Sequence, residues 1–336
     1  MAAFFAHVRM AFAALAVLML AAVLPAAAQQ SDEINPTASS VKEEQLLNQL
    51  SIIRGRGTIP DTKSYNIEQP AGRVWRQFHE VTLHWIGAIA ILGMLAMLIL
   101  FYLIRGMVRI DNGRSGRTIV RFSAFERFIH WMTATCFVIL ALTGLNVTFG
   151  KELLLPYVAP ETFTAIAQWA KYVHDYVSFP FTLGVIVIFL MWLAWNLPSS
   201  TDVAWLKAGG GIVGKAHPPA GRFNVGQKGI YWIVVLGGTL MAASGYLLMF
   251  PFYITDIAGM QIAQMVHGTT AVLFVAVMLA HIYIGTIGMQ GAFEAMGEGT
   301  VDLNFAKQHH SLWVDKELAK SRDASPPPQA AATPAE

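Results

Sequence analysis

The chain has 336 residues, 55% of them hydrophobic and 13% charged, with a formal net charge of +2 at pH 7. Soluble domains carry about 25% charged residues, so this composition excludes an ordinary soluble protein and favours one with several membrane spans. The near-neutral charge gives no reason to expect a nucleic-acid partner. Cys136 is the one cysteine, which excludes an internal disulfide, a four-thiolate iron–sulfur centre and a covalently attached c-type haem.

The first 28 residues predict a secretory signal peptide. Arg9 precedes an apolar core from about Met10 to Val23, and small residues continue up to Ala28, which is typical of a cleavable signal. An uncleaved anchor helix is the alternative, and both interpretations place the next part of the chain outside the cytoplasm. Residues 29–80 are polar and proline-containing, and they predict a periplasmic extension, partly disordered and partly a docking surface.

Five apolar segments come next. They are Leu83–Ile104, Phe128–Phe149, Val177–Leu197, Gly229–Ile254 and Ile262–Met289. Each has about 20 or more residues and no charged side chain, which is enough to cross a hydrocarbon core of about 30 Å. The sequence therefore predicts an all-α integral membrane protein, a helical bundle of five transmembrane spans.

The basic residues of the loops predict the orientation of these spans. Two loops are rich in Arg and Lys: Arg105, Arg109, Arg114, Arg117, Arg121 and Arg127 come after span one, and Lys207, Lys215, Arg222 and Lys228 come after span three. Short basic loops stay in the cytoplasm. Residues 81–125 are then an N-terminal span with its basic loop, and residues 291–336 are a cytoplasmic tail, disordered from about residue 320.

Four histidines lie at informative depths. His130 is near the cytoplasmic start of span two, and His174 lies just before span three on the outer side. His267 and His281 are fourteen positions apart in span five. That spacing is a rise of about 21 Å and a return to within about 40° of the same helix face, so one face of span five presents an imidazole near each surface of the bilayer.

Because they lie at matching depths in the membrane, His174 is predicted to pair with His267 on the outer side, and His130 with His281 on the cytoplasmic side. Two imidazoles can fill both axial positions of a haem iron inside a helical bundle, so we predict two b-type haems with these four histidines as iron ligands. Packing histidines are the alternative, while zinc needs more ligands and a proton relay needs carboxylates within the spans. Small residues could admit a flat ligand or only close helix packing: Gly144, Gly184, Gly268 and Gly285.

From about Arg121 to Glu317 the chain resembles the gamma subunit, a di-haem cytochrome b, of membrane-bound respiratory formate dehydrogenase. The resemblance is carried by RFSAFERFIHWM, KYVHDYVSFPFTLG, GRFNVGQKGIYW, QMVHGTTAVLFVAVMLAHIY and AKQHHSLWVDKE. It implies a four-helix di-haem core at residues 126–290, preceded by one extra N-terminal span, and the same two histidine pairs.

The resemblance also implies a function and partners. Electrons would pass from a periplasmic iron–sulfur subunit, fed by a catalytic molybdenum or tungsten subunit, through two b haems to quinone in the bacterial inner membrane. It places the quinone beside His281, near Asn224 and Gln227, although amides at this position also cap helices. The alternatives are the cytochrome b of a hydrogenase or thiosulfate reductase complex, and a haem-free anchor or transporter.

Overall fold

The computed structural model describes residues 70–208 and 217–323. The predicted signal peptide, the periplasmic extension up to residue 69 and the end of the predicted tail lie outside these residues. Within them, five helices are long and apolar enough to cross a membrane, which confirms the predicted fold class. The elements in chain order are α1 Pro70–Gln77, α2 Leu83–Arg105, β1 Thr118–Val120, α3 Ala124–Leu153, α4 Pro160–Trp192, α5 Ser200–Lys207, α6 Val225–Met249, α7 Ile257–Tyr283, α8 Ala292–Gly297, β2 Thr300–Asp302 and α9 Leu303–Asp323.

The helices begin and end where their sequences favour it, and all of the long helices but α2 begin before the apolar segments that predicted them, while α4, α6 and α7 end earlier than predicted. Ser123 caps α3 and exchanges hydrogen bonds with Glu126 in a capping box, which satisfies two backbone donors of the first turn. Pro160 stands in the first turn of α4, where its missing N–H costs nothing. Because α4 begins seventeen positions before the predicted span, His174 lies inside a helix and not before one.

The core is a bundle of α3, α4, α6 and α7. Helix α3 packs along α4, α4 against α6, and α6 against α7, while α2 packs along α7. Gly87 allows this last approach, because a Cβ there would lie 2.6 Å from Phe149 Cζ and 3.1 Å from Val272 Cγ1. Trp75 Nε1 donates to Gln264 Oε1 at 3.0 Å and joins α1 to α7.

The chain after α7 does not leave the bundle as a tail. Strand β2 pairs antiparallel with β1, with Ile119 opposite Val301, and α9 packs beneath them through residues such as Ala306 and Val314, which have 0% exposure. We call residues 106–122 and 289–323 the C-terminal cap. The apolar side chains of this segment do not belong to a membrane span. They pack against one another and against the loop after α2. Helix α9 continues to Asp323.

The pairs α3–α4 and α6–α7 share a sequence pattern and equivalent contacts, and we interpret them as two copies of one unit. Positions 121–144 and 222–245 share an Arg-Phe step, a helix cap, a Trp and a final hydroxyl–glycine pair. Contacts between the copies are reciprocal: Arg121 Nη2 donates to the carbonyl of Arg222 at 2.7 Å, and Arg222 Nη2 donates to the carbonyl of Arg121 at 3.3 Å. Reciprocal contacts of this kind are typical of a two-fold relation.

Candidate functional site

Helix α7 carries both predicted ligands of span five on one unbroken α-helix. Because α7 runs from Ile257 to Tyr283, His267 and His281 are separated by fourteen residues of regular helix, a rise of about 21 Å. His130, near the start of α3, lies at the level of His281, and Gly144, further along α3, lies at the level of the His174–His267 pair. The molecule therefore has a His130 end, next to the C-terminal cap, and a His174 end.

The structure brings His174 and His267 together. Their ring centres are 6.2 Å apart, and the ring planes are inclined by 70°. A glycine of the neighbouring helix faces each ring: a Cβ on Gly144 would lie 3.3 Å from His174 Cε1, and a Cβ on Gly245 would lie 3.1 Å from His267 Cε1. A larger side chain at either position would press on the imidazole, so these glycines help set where the rings stand.

A buried hydroxyl contacts the Nδ1 atom of each of these two rings. Thr143 Oγ1 lies 2.8 Å from His174 Nδ1 and donates to the carbonyl of Ile139 at 2.8 Å. Ser244 Oγ lies 3.0 Å from His267 Nδ1 and donates to the carbonyl of Leu240 at 2.7 Å. A hydroxyl has one proton, and here the helix carbonyl receives it. In the tautomer with the proton on Nδ1, each hydroxyl accepts from Nδ1–H and the lone pair of the imidazole is on Nε2.

The structure also brings His130 and His281 together. Their ring centres are 6.3 Å apart with planes inclined by 59°. Nδ1 of His130 is buried and has no hydrogen-bond partner among the described residues. In the repeat, the position of His130 is taken by Tyr231 in the second copy, whose hydroxyl donates to the carbonyl of Phe189. The two copies therefore carry side chains of different chemistry at the His130 end.

Both pairs fit the predicted haem. Metal–imidazole nitrogen bonds are about 2 Å long, so the ring centres of two axial imidazoles on opposite sides of one iron are about 6 Å apart. Both observed separations, 6.2 and 6.3 Å, are of this size. At the His174 end the hydroxyls also leave Nε2 of both rings free to bind iron, and a hydrogen bond at the other ring nitrogen is the usual support of a metal-bound histidine.

Asn224 and Gln227 form the capping box of α6. Asn224 Oδ1 accepts from the backbone N–H of Gln227 at 3.0 Å, and Gln227 Oε1 accepts from the backbone N–H of Asn224 at 3.2 Å. Because α6 and α7 are antiparallel neighbours, the start of α6 and His281 lie at the same end of the bundle. The side chains predicted to contact quinone therefore have a structural role as well.

Of the four glycines singled out in the sequence, one contacts a predicted ligand. Gly144 faces His174, whereas a Cβ on Gly184 would meet Thr133 and a Cβ on Gly268 would meet Leu83 of α2. A Cβ placed on Gly285 would have no contact within 4 Å to other segments of the described residues. Sequence reasoning missed Gly245, together with Thr143 and Ser244. The signal that could have found them is the hydroxyl–glycine pair that ends both copies of the repeat.

The other histidines in the described residues have other partners. His84 Nε2 lies 3.4 Å from Glu152 Oε2. His217 Nε2 lies 2.6 Å from Asp111 Oδ2 and His310 Nδ1 lies 3.1 Å from the carbonyl of Gly221, so each contact joins the C-terminal cap to the segment before α6. Neither histidine belongs to one of the two imidazole pairs.

A charged cluster at the His130 end was also not predicted. Arg222 Nη2 donates to Glu126 Oε1 at 2.7 Å, and Trp192 Nε1 donates to the same oxygen at 2.8 Å. Arg121 is 4% exposed. Burial, followed by the positive charge of Arg222, lowers the pKa of Arg121 to about 9, and Glu126 acts against this shift. The cluster ties the starts of α3 and α6 together.

Comparisons with known proteins agree on one family. Residues 121–299 match the family described as prokaryotic cytochrome b561. The chain is 31% identical over 209 residues to the formate dehydrogenase cytochrome b556(fdo) subunit of Escherichia coli K12, which covers 61% of this chain and 96% of the relative. It is 25% identical to the nitrate-inducible formate dehydrogenase cytochrome b556(Fdn) subunit of the same strain, and the match covers 61% of this chain and 94% of that relative. The formate dehydrogenase cytochrome b556 subunit of Haemophilus influenzae is 26% identical, and the match covers 60% of this chain and 84% of that relative.

The family match covers the whole bundle, including all four paired histidines, and the family is one of membrane proteins that carry b-type haem. Helix α2 and the chain before it lie outside the matched residues. With five apolar helices and paired imidazoles inside the bundle, the chain is a multi-pass membrane protein that belongs to the prokaryotic cytochrome b561 family.

Proposed function

We propose that the chain is the cytochrome b subunit of a formate dehydrogenase complex. It would take electrons from an iron–sulfur subunit on the periplasmic side, itself reduced by a catalytic molybdenum or tungsten subunit, and deliver them to quinone on the cytoplasmic side of the bacterial inner membrane. The observation that carries the proposal is the presence of two imidazole pairs at two levels of α7, fourteen residues apart. The names of the relatives supply the donor complex.

The four histidines are the proposed iron ligands. His174 and His267 would hold one haem, the outer haem, and His130 and His281 would hold the other, the inner haem. Bound in this way, b haems are one-electron carriers, and their iron has no free position for a substrate. The basic loops at the His130 end support a cytoplasmic location for that end, so the line from the outer to the inner pair crosses the membrane.

Asn224, Gln227 and His281 are proposed to border the quinone site. Both amide oxygens belong to the capping box, so each amide still has its NH2 group, a donor that suits a quinone carbonyl. Arg121 Nη2 lies 3.5 Å from Gln227 Oε1 and adds a second constraint on the orientation of this amide. Capping and quinone binding are therefore compatible roles for the same side chains.

The test of the haem assignment is the haem content of the purified complex. We expect about two b haems per chain in a pyridine haemochrome assay, and one after His281→Ala, with the remaining haem still reducible by the physiological donor and quinone reduction abolished. His217→Ala is the matched control and should keep both haems. Loss of both haems or of neither in His281→Ala would contradict the pairing. The subunits that co-purify, and reduction by formate, hydrogen or a sulfur donor, identify the complex.

The test of the quinone site separates binding from capping. Asn224→Asp keeps the capping oxygen and removes the NH2 donor, so we expect slower quinone reduction with both haems and the thermal stability retained. Asn224→Ala loses the cap as well, at a further cost of about 1 kcal/mol of stability. Unchanged quinone kinetics in Asn224→Asp would remove this residue from the site.

A further inference from the structure

We propose that Thr143 and Ser244 are equivalent positioning residues of the outer haem, and that their hydrogen bonds hold its reduction potential below that of the inner haem. The inference rests on the proposed function, because it assigns roles to residues that act through His174 and His267. It adds a property that the ligands alone do not have: a difference in potential between the two ends of the bundle.

The two hydroxyls are built into the helices in the same way. Each is buried, donates its proton to the carbonyl four residues earlier on its own helix and lies within hydrogen-bond distance of Nδ1 of an imidazole on the next helix, from which it accepts when Nδ1 carries the proton. Because the helix holds the hydroxyl, the imidazole cannot turn or exchange its tautomer without losing this bond. The glycine that comes after each hydroxyl, Gly144 or Gly245, gives the ring room to stand there.

The repeat makes the two hydroxyls counterparts. Thr143 lies twenty positions after the cap Ser123, and Ser244 lies twenty positions after the cap Asn224. Each hydroxyl contacts a histidine on the next helix of its own copy, so two different sequences form the same contact. Two side chains that differ by a methyl group share the hydroxyl, which indicates that the hydroxyl is the part the site needs.

The inner pair does not share this support. His130 Nδ1 is buried without a hydrogen-bond partner among the described residues, and its counterpart in the second copy is Tyr231. Cationic side chains outnumber the one carboxylate of the charged cluster, Glu126, at the same end: Arg121, Arg222 and, three positions before His130, Arg127. Hydrogen bonding and local charge both tune haem potentials, and here both distinguish the inner pair from the outer one.

The sign of the difference depends on which oxidation state each feature favours. A hydrogen bond from Nδ1–H makes the imidazole a more basic ligand, which favours ferric iron and lowers the reduction potential of the outer haem. Positive charge near the inner pair favours the ferrous state, which has one positive charge fewer, and raises the potential there. Both effects make electron transfer from the outer to the inner haem downhill.

The test is a redox titration of the purified complex, monitored by the absorbance of the b haems. The component that remains in His281→Ala is the outer haem, and in the wild type it should have the lower potential. Thr143→Val and Ser244→Ala should each move this component to a more positive potential, by similar amounts, and the double variant should move it by the sum. The inner component should stay in place.

Two controls separate the hydroxyl from packing. Thr143→Ser keeps the hydroxyl and should titrate like the wild type. Thr133→Val removes another buried hydroxyl of α3, which donates to the carbonyl of Ile129 and for which no imidazole contact is found in the described part of the chain, so it should leave the outer component unmoved. If Thr143→Val loses the outer haem while Thr143→Ser retains it at the wild-type potential, the hydroxyl is needed and the inference stands.

Several outcomes would overturn the inference. These are an outer component that is unmoved or more negative in Thr143→Val and Ser244→Ala, a Thr143→Ser variant that behaves like Thr143→Val or loses the haem, and a wild type in which the outer haem has the higher potential. A wild-type complex with no b haem would instead overturn the proposed function, and the inference with it. Two haems with unmoved potentials would overturn the inference alone.

Discussion

At the scale of single residues, glycine does two different things in this bundle. Gly245 faces a predicted iron ligand, with an added Cβ 3.1 Å from His267 Cε1. Gly237 lies on the same helix, and a Cβ placed there would have no contact within 4 Å to other parts of the chain that the structure describes. The two positions are alike in sequence, since both are glycines within an apolar helix, and only their neighbours distinguish them.

This contrast predicts opposite effects of the same substitution. Gly245→Ala should displace the His267 ring and lower the occupancy of the outer haem, or shift its absorbance, while the inner haem is retained. Gly237→Ala should leave both haems intact and slightly stabilise α6, because Ala is a better helix former than Gly by up to about 1 kcal/mol. Haem content and thermal unfolding of the two variants provide the measurement. Equal haem spectra in the two variants would contradict the role of Gly245.

At the scale of elements, the starts of α3 and α6 are joined by charge and not only by apolar packing. Glu126 is 9% exposed and accepts from Trp192 and Arg222 through the same oxygen. Glu126 also forms an ion pair with Arg222, and this pair joins the first copy of the repeat to the second. It lies beside the two arginines that exchange hydrogen bonds across the same interface. Without this carboxylate the arginines would face each other uncompensated.

Removing that carboxylate should therefore destabilise the bundle. We expect Glu126→Gln to lower the free energy of unfolding by roughly 2–3 kcal/mol, toward the low end for a broken buried ion pair because Arg222 keeps some exposure. Glu80→Gln is the control, since the Arg76–Glu80 pair is exposed on one helix and such pairs contribute little. Denaturant unfolding in mixed micelles measures both. Equal stability losses in the two variants would show that the cluster contributes no more than an exposed pair.

At the scale of the whole molecule, the C-terminal cap covers the His130 end of the bundle. Two histidines of this cap, His309 and His310, are uncharged at neutral pH. The ring of His309 lies 4.7 Å from that of Phe305 and 6.0 Å from that of His217. Burial, followed by the positive charges of His217 and Arg121, lowers the pKa of His309 to about 4, and Asp111 acts against this shift. Burial also lowers the pKa of His310 well below its usual value.

The cap should therefore lose stability in mild acid. The unfolded chain binds a proton at His309 near pH 6.5, whereas the folded chain does so only near pH 4. Between these values the unfolded state holds more protons, so stability falls as the pH falls. At about 1.4 kcal/mol per unit, the loss is up to about 3 kcal/mol.

The measurement is the thermal unfolding midpoint of the wild type and of His309→Gln at several pH values between 7 and 4. His309→Gln should have the shallower dependence on pH, with a remaining slope from His310. Parallel curves would show that His309 does not contribute.

Local patterns in the amino-acid sequence were enough to predict the number of spans, their order and the two histidine pairs. These features depend on apolar length and on the regular rise of a helix, so fourteen positions on α7 predict two depths without any tertiary contact. The boundaries were less accurate where polar residues extend a helix beyond its apolar part, as at the start of α4, because hydropathy detects the membrane and not the helix. The haem ligation and the quinone site remain predictions.

The surroundings of those histidines depend instead on tertiary contacts. Thr143 and Ser244 are ordinary small residues in the sequence, and they matter because a neighbouring helix places an imidazole 2.8 or 3.0 Å away. The C-terminal segment forms a folded cap because its apolar side chains pack with a loop about 180 residues earlier in the chain. Contacts between distant segments depend on how the helices pack against one another, and no local pattern of residues contains that information.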